Sequence, residues 1–533
     1  MTQPAPILPI TRRDLATLLA GEALASFSLG TARAQGRRDV LVIGLDISDT
    51  VTLDPARQNN YSPPLTLEAA YDTLVTLAPG KYTAPSPALA TKWERTEDGK
   101  AWRFFLREDV KFFSGNPLTA DDVKFTFDRI MAAKDQTSVY IANVASVAVV
   151  DSMTVDLMLK NPAEPILAIL AAPGFGILDR KVVIEHGGTT DASDKATDWL
   201  NAHSAGTGAY AVTAWARNSQ IQFVRNPASW RGTPAYARIV IRHISDSAAQ
   251  LLAVQRGDVD VAFNLIPEQI SSLRADPKIR IEKLTSFDFV YMGLTQNPDL
   301  NKALAIKEAR QAIGHAIDFD GIRNGLLGGQ ATRAASFLPV GVIGSSEAVA
   351  QDVAPHQDLE RAKQLLQQTG LPDGFEFELS YGQAVIAGIS YQTVAQKLQS
   401  DLGRVGIRVK LNPMDQVNMR TQFFAAKLSG LLTFWNPPAV DNLLWAAASV
   451  QRVAKRIGFA PPEQLLALVS RAASELEPDK QAKLWIEYQK AMVDQAGLVI
   501  LFQPIYQVAV RDSVGAFPLT AAGWMADLSG AKP

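Results

Sequence analysis

A glycine pair is the first candidate for small-molecule chemistry in this sequence. Gly206-Thr207-Gly208 opens the stretch "GTGAYAVTAWARNSQIQFVRNPASWRG", and glycine-rich loops of this kind can bind phosphate. A phosphate loop needs its glycines between a strand and a helix N-terminus, so that backbone amides point at the anion. Here a predicted strand follows Gly208 and no Gly-Lys-Ser/Thr occurs, so the segment is interpreted as a β-hairpin whose glycines allow a tight turn.

The second candidate segment reads "WNPPAVDN" and covers residues 435–442. A tryptophan between a predicted strand and a Pro-Pro loop is poorly placed for a core, so Trp435 is predicted to contact a ligand. Asn436 and Asp441 supply polar groups of the kind that fix a ligand's orientation in an apolar cleft.

Catalytic and metal-binding patterns do not occur in the sequence. Neither His-Glu-x-x-His nor Gly-x-Ser-x-Gly is present. No histidine pair has helical ligand spacing; the histidines are His186, His203, His243, His315 and His356. The 533 residues include no cysteine, which excludes disulfides, thiolate metal sites and thiol nucleophiles. We therefore predict a protein that is not an enzyme and that holds no metal or cofactor.

The N-terminus has the layout of an export signal. Arg12 and Arg13 precede an apolar stretch at 15–29 and an Ala-Arg-Ala cleavage pattern, and the paired arginines resemble a twin-arginine signal. Residues 1–34 are predicted to be removed and the remaining chain to be periplasmic; a buried amphipathic helix is the alternative. A formal net charge of −2 argues against a nucleic-acid partner.

Strands and helices alternate along the rest of the chain, which predicts an α/β fold. Local signals place a buried strand at 39–47, a helix with apolar spacing from Leu67 to Leu74, and a capped helix that starts at Thr119. A helix ends at Gly257, and a β-α-β unit follows a helix that begins after Asp358.

The order of these motifs resembles the extracellular solute-binding proteins of family 5. "FFSGNPLTADDVKFTFDRI" is similar to the family's Ser-Gly turn before Thr-Ala-Asp-Asp-Val, and the hairpin is similar to its Gly-Thr-Gly-Pro-Tyr segment, with Ala209 in place of proline. Four further blocks match in the same order: "RGDVDVAF", "EARQAIGHAIDFDGI", "DLERAKQLLQQTGLPDGFEFEL" and "LVILFQPIY". The resemblance covers nearly all of residues 38–515.

The resemblance implies a two-lobed periplasmic-binding-protein fold of type II with an extra subdomain in the first lobe. Its expected bounds are 36–78 with 201–285 and 505–533 for lobe I, 79–200 for the extra subdomain, and 286–504 for lobe II. It also implies a monomeric receptor that encloses a peptide or similar solute between the lobes and delivers it to an ABC permease and ATPase complex at the inner membrane. The alternative is a sensor or a metallophore- or nickel-chelate-binding protein of the same fold.

Residues at strand ends and loops of the matching regions are the expected ligand contacts. They are Ile47, Ser48, Thr207, Phe289, Tyr291, Trp435, Asn436 and Asp441, and core packing is the alternative for each aromatic residue. Peptide-binding members usually carry an acidic run after the tryptophan, where one carboxylate can meet the peptide's amino group. Here asparagine and two prolines take that place. An enclosed ammonium group would be poorly compensated, so a modified peptide, a sugar and an opine-like compound stay open as ligands.

Overall fold

The computed structural model describes residues 39–57, 63–78, 81–96, 100–160, 166–435, 439–475, 477–521 and 525–533. The predicted export signal and Asn436 lie outside these ranges. Within them, no helix is long and apolar enough to cross a membrane.

Strands and helices alternate through the described chain, as the sequence predicts. The strands are β1 (Val40–Leu45), β2 (Val75–Ala78), β3 (Lys81–Pro87), β4 (Ala90–Arg95), β5 (Ala101–Leu106), β6 (Val144–Asp151), β7 (Thr154–Leu159), β8 (Tyr210–Ala216), β9 (Gln220–Arg225), β10 (Arg238–His243), β11 (Val261–Ala262), β12 (Ile279–Thr285), β13 (Phe289–Leu294), β14 (Ala331–Thr332), β15 (Glu376–Gly382), β16 (Val385–Ile386), β17 (Ile389–Ser390), β18 (Arg408–Met414), β19 (Gly430–Trp435), β20 (Leu498–Arg511), β21 (Leu519–Thr520) and β22 (Met525–Ala526).

The α-helices are α1 (Pro63–Ala70), α2 (Ala120–Ala133), α3 (Gln136–Tyr140), α4 (Ile166–Leu170), α5 (Arg180–Glu185), α6 (Thr197–Leu200), α7 (Ser247–Arg256), α8 (Pro267–Leu273), α9 (Lys307–Ala316), α10 (Glu347–Val353), α11 (Leu359–Gln368), α12 (Tyr391–Gly403), α13 (Gln416–Phe424), α14 (Asn442–Ala447), α15 (Ala454–Arg456), α16 (Glu463–Ser474) and α17 (Pro478–Gln495). Two π-helical segments, Gly321–Leu326 and Ala448–Val453, and short 3-10 turns complete the elements.

One large sheet runs through the molecule in the order β18-β15-β19-β13-β20-β11-β1-β10-β9-β8, and β12 and β14 also pair with β20. We call β1 and β8–β11 the first half of the sheet, and β13, β15, β18 and β19 the second half. In the first half β1 is parallel to β10 and β11, and in the second half β15 is parallel to β18 and β19. A smaller sheet, β4-β5-β7-β6, packs with α2.

The long strand β20 joins the two halves. Its residues 498–502 pair with β13, whereas residues 505–511 pair with β12. Gln503 lies at the joint, fully buried, and donates to the carbonyl oxygens of Ser286 (2.6 Å) and Val340 (3.0 Å). Beside it the Tyr506 hydroxyl donates to Asp288 at 2.6 Å, and burial raises the pKa of Asp288 to about 6. The joint is therefore held by buried polar groups. The lobe bounds expected from the sequence stay predictions.

The second half of the sheet is covered by helices on both faces. Phe289 and Tyr291 of β13 point to the face that packs against α14–α17. Val290 and Met292 point to the opposite face, where α9, α11 and α12 lie. This alternation follows from the two-residue repeat of side chains along a strand, and it decides which aromatic residues can meet.

Several local predictions are confirmed. The hairpin of β8 and β9 forms, and Asp122 accepts from the Thr119 amide at 2.9 Å at the start of α2. Asp358 caps α11, and Gly257 ends α7 at φ 74°. The helix expected across Leu67 to Leu74 ends instead at Ala70.

The glycine pair at 206–208 is structural, although for a different reason than a tight turn. A Cβ on Gly206 would lie 2.1 Å from the Ala70 carbonyl oxygen, and a Cβ on Gly208 would lie 2.4 Å from that of Ala69. Neither glycine has a positive φ. They are needed because the hairpin passes directly against the end of α1, which leaves no room for a side chain.

Candidate ligand-binding site

An aromatic cluster lies at the end of the second half of the sheet. Phe289 and Tyr291 of β13 both contact Phe337, with ring centroids 4.9 Å and 5.0 Å apart. Trp435, the last residue of β19, lies 5.2 Å from the Phe337 ring and pairs with Phe289 across the strands. The structure thus brings together three of the residues expected from the sequence, and adds Phe337 as the ring that connects them.

Three arginines lie beside Trp435 and the neighbouring rings of Phe423 and Phe424, and we call Arg420, Arg452 and Arg456 the arginine cluster. Arg456 stacks on Phe424 at 4.1 Å from the ring centroid, and Arg420 stacks on the same ring at 5.2 Å. Arg452 lies 5.7 Å from the centroid of Trp435. Stacking on aromatic faces orients the guanidinium groups without neutralising their charge.

The arginine cluster has no carboxylate partner within the described ranges, where none of its three members forms an ion pair. Burial lowers the pKa of Arg456, and the positive charges of Arg452 and Arg420 lower it further, although the nearby Tyr291 hydroxyl opposes this. Each guanidinium ion therefore adds to an uncompensated positive potential. Such a surface favours an anionic solute over a cationic one.

The arginine cluster faces the segment that carries the smaller sheet. Burial raises the pKa of Tyr140, at the end of α3, and the charges of Arg452 and Arg420 lower it, which places this tyrosine near both arginines. Tyr82 of β3 contacts Phe287, two residues before β13, with ring centroids 5.3 Å apart, so an early part of the chain also meets the start of β13. The arginine cluster consequently lies where two separate parts of the chain meet.

Asp441 is engaged in the local structure of α14. Its Oδ1 atom accepts from the Leu443 amide at 2.8 Å, which makes it the N-cap of the helix. Burial raises the pKa of Asp441 to about 6, although hydrogen bonds from the Leu443 and Leu444 amides lower it in part. Asn436 lies outside the described residues. The ligand roles predicted for Asn436 and Asp441 stay predictions.

The remaining expected contacts, which follow β1 or precede β8, lie near the first half of the sheet and away from the aromatic cluster. Thr207 is fully buried and donates its hydroxyl to Asp72 at 2.8 Å. Ile47 belongs to the core around β1, and Ser48 next to it is exposed. Their ligand roles stay predictions, and the hydroxyl of Thr207 is committed to a carboxylate of the protein.

His203, just after α6, stacks on Trp199 of that helix, with the two ring centroids 4.8 Å apart. In the described ranges no three histidine, aspartate or glutamate side chains are grouped so that they would hold a metal ion.

Sequence reasoning missed the arginine cluster. Arg420 follows β18 by six residues, whereas Arg452 and Arg456 lie four residues apart in a helical segment. The i, i+4 spacing is the only local signal, and it is also that of an ordinary solvated helix face. The cluster forms because α13 lies beside α15, and no local sequence pattern predicts this tertiary contact.

Comparison with known protein families shows which family the chain belongs to. The family described as "Bacterial extracellular solute-binding proteins, family 5 Middle" matches residues 84–452, well over half of the chain. The chain belongs to this family. The resemblance noted from the motifs is thereby confirmed, and the family 5 chain has the solute-binding function that defines the family.

Relatives and solved structures agree with this family over most of the length. The family 5 chain is 27% identical over 509 residues to the probable D,D-dipeptide-binding periplasmic protein DdpA of Escherichia coli (strain K12), covering 94% of this chain and 95% of that protein. NikA from Brucella suis in complex with Fe(III)-EDTA superimposes with a TM-score of 0.80 at 20% identity, covering 93% and 99% of the two chains. The dipeptide-binding protein of Pseudoalteromonas sp. SM9913 in complex with Met-Leu gives 0.77 at 21% identity, covering 92% and 99%. These likenesses confirm the type II periplasmic-binding-protein fold.

Proposed function

We propose that this family 5 protein is the periplasmic receptor of an ABC importer and that its solute is a small peptide-like molecule with at least one free carboxylate. The solute binds between the two lobes against the aromatic and arginine clusters. Closure of the lobes about β12, β13 and β20 encloses it, and the closed form delivers it to a membrane permease and its ATPase.

The arginine cluster is the observation that supports a carboxylate. Three guanidinium groups that form no ion pair with a described residue are costly to bring together, and a carboxylate relieves that cost through charge-assisted, often bidentate hydrogen bonds. The half-buried Trp435 adds an apolar wall of the kind that encloses a peptide side chain, and the buried rings of Phe289 and Tyr291 support it from behind through Phe337.

The ligands named for the relatives have the same chemistry. A D,D-dipeptide and Met-Leu each carry a terminal carboxylate, and Fe(III)-EDTA is built on carboxylates. Recognition through a carboxylate fits the departure seen in "WNPPAVDN", where the acidic run that can meet a peptide's amino group is replaced. Asp441 supports this interpretation because its carboxylate caps a helix.

A metal chelate is the second candidate, since the NikA structure from Brucella suis holds Fe(III)-EDTA. In that case the arginine cluster would bind the chelator's carboxylates, and the protein would act as a metallophore receptor or a sensor. For the protein as a whole, we propose export through the twin-arginine signal at 1–34, a monomeric state and no catalytic activity.

Native mass spectrometry on the exported chain, purified from its own periplasm, tests this proposal. The bound molecule is released and identified, and a parallel sample is treated with a stronger chelator such as excess EDTA. A carboxylate-bearing peptide that is retained under EDTA supports peptide import. A ligand whose mass includes a metal, and which EDTA exchanges, supports the chelate alternative. A neutral sugar or a polyamine would overturn the carboxylate proposal.

A further inference from the structure

A cavity of about 420 Å³ lies in the second half of the molecule between α9, α11, α17 and the first residues of β20. We call it the Arg333 cavity. Its lining includes none of the residues of the aromatic cluster or the arginine cluster. Its volume is within the range of small-molecule sites, which is roughly 300 to 1,000 Å³.

Arg333 supplies a positive charge to this cavity without an anionic partner. Its Nη1 atom donates to the Pro355 carbonyl at 2.9 Å and its Nε atom to the Ile500 carbonyl at 3.3 Å. The guanidinium lies 3.3 Å from the ring centroid of Phe319. Among the described residues Arg333 forms no ion pair, and its Nη2 atom donates to none of them.

A neighbouring arginine shows the contrast. Arg310, which is buried whereas Arg333 is only half-buried, donates from all three of its guanidinium nitrogens to the carbonyl oxygens of Leu304, Ala305 and Gln495. The hydrogen bonds of Arg310 are therefore satisfied by the fold itself. Arg333 uses two of its five N–H groups in this way, so both N–H groups of its Nη2 atom are available to a ligand.

The carboxylates in the cavity wall are engaged elsewhere. Asp494 pairs with Lys307 at 2.9 Å and accepts from Gln311. Asp358 caps α11 by accepting from the Arg361 amide at 2.9 Å. Neither carboxylate neutralises Arg333, and Arg361 adds a second positive charge at the rim.

The rest of the wall is mostly apolar and includes Val353, Pro355, Leu365, Val493 and Leu498. An arginine with a free N–H above an apolar floor matches a molecule with a carboxylate at one end and a hydrocarbon body at the other. We propose that the Arg333 cavity binds a small monocarboxylate with an apolar body, independently of the solute in the cleft.

The charges around Arg333 agree with this assignment. Burial lowers the pKa of Arg333, and distant Asp320 opposes the shift only in part. A bound carboxylate removes that cost. His315 also lines the cavity, and its Nδ1 atom is 3.1 Å from the His356 carbonyl oxygen.

Isothermal titration calorimetry with octanoate on the exported chain tests the proposal. Octanoate is expected to bind one to one, and octan-1-ol and octylamine are expected not to bind. Arg333→Met should weaken octanoate binding at least about 10-fold, since a charge-assisted hydrogen bond is lost. Arg333→Lys should retain part of the affinity, and Arg456→Met, in the cleft, should leave it unchanged.

Two results would overturn the proposal. The first is octanoate affinity that is equal in the wild-type protein and in Arg333→Met. The second is loss of octanoate binding in Arg456→Met, which would assign the binding to the cleft. If Arg333→Met does not fold, a crystal structure of the unmodified protein with octanoate decides, and a carboxylate found away from Arg333 refutes the assignment.

Discussion

Arg456→Met is expected to weaken solute binding about 10- to 100-fold without lowering the stability of the ligand-free protein. Methionine keeps the apolar contact with Phe424 and Phe423 but removes the charge. A charge-assisted hydrogen bond contributes about 1.5–3 kcal/mol, and each 1.4 kcal/mol changes affinity about tenfold. The loss of one such bond to a carboxylate gives the expected range.

The stability of the ligand-free variant separates a binding role from a structural one. Burial and two neighbouring arginines lower the pKa of Arg456, so the folded protein holds this positive charge at a cost. Removing the charge should therefore leave the melting temperature equal to or above that of the wild-type protein. Differential scanning calorimetry on the ligand-free protein measures it.

Arg310→Met is the matched control. Arg310 is buried and donates to three carbonyl oxygens, so its loss leaves buried acceptors without partners and should cost about 3 kcal/mol or more. Solute affinity should be unchanged at a temperature where this variant is folded. The reasoning is refuted if Arg456→Met binds the solute as the wild type does, or if it is destabilised as Arg310→Met is.

Three further changes test other parts of the structure. Gly208→Ala should lower the unfolding free energy by about 1–3 kcal/mol, because its Cβ would meet backbone, whereas Gly403→Ala, with open space around it, should not; urea unfolding of both variants measures the difference. Asp288 should contribute a loss of about 3 kcal/mol of stability as the pH rises from about 4 to about 6, since its folded-state pKa is raised to about 6 and its stabilising contribution is fully present only below its unfolded pKa. Asp288→Asn should remove this part of the pH dependence and keep the part that Asp441 contributes, since the pKa of Asp441 is also raised to about 6; an unchanged slope in pH-dependent unfolding would contradict the assignment. Thr207→Val should cost about 1–3 kcal/mol of stability through a lost buried hydrogen bond and leave solute affinity intact in calorimetry; a large affinity loss would restore Thr207 as a ligand contact.

Much of the fold was predictable because its signals are local. The Thr119 capping box, the Asp358 cap and the glycine that ends α7 depend on residues within one or two turns of each other. The order of motifs then identified the family, and with it the two-lobed arrangement.

The end of α1 shows where local signals stop. The apolar spacing continues to Leu74, yet the helix ends at Ala70. Asp72 lies just beyond that end, and its carboxylate accepts from Thr207 at 2.8 Å and from the Trp230 indole at 2.7 Å. These partners are far apart in sequence, so the tertiary contact that fixes Asp72 overrides the helical pattern.

The candidate site likewise contains residues with a local sequence signal and residues whose importance depends on tertiary contacts. The strand positions of Trp435, Phe289 and Tyr291 were predictable from the local pattern, and their ligand roles stay predictions. Arg452 and Arg456 were not, because their significance depends on Arg420 of another helix and on the lack of a carboxylate beside them. Charge that is left uncompensated is a property of the assembled structure.

The carboxylate of the solute is the most direct test of the proposed recognition. The solute released from the native protein is identified, its carboxylate is converted to the carboxamide, and both forms are titrated into the ligand-free exported chain by calorimetry. Where nothing copurifies, Met-Leu and its C-terminal amide serve as the pair. Recognition by the arginine cluster predicts that the amide binds about 10- to 100-fold more weakly. Equal affinity of the two forms would contradict it.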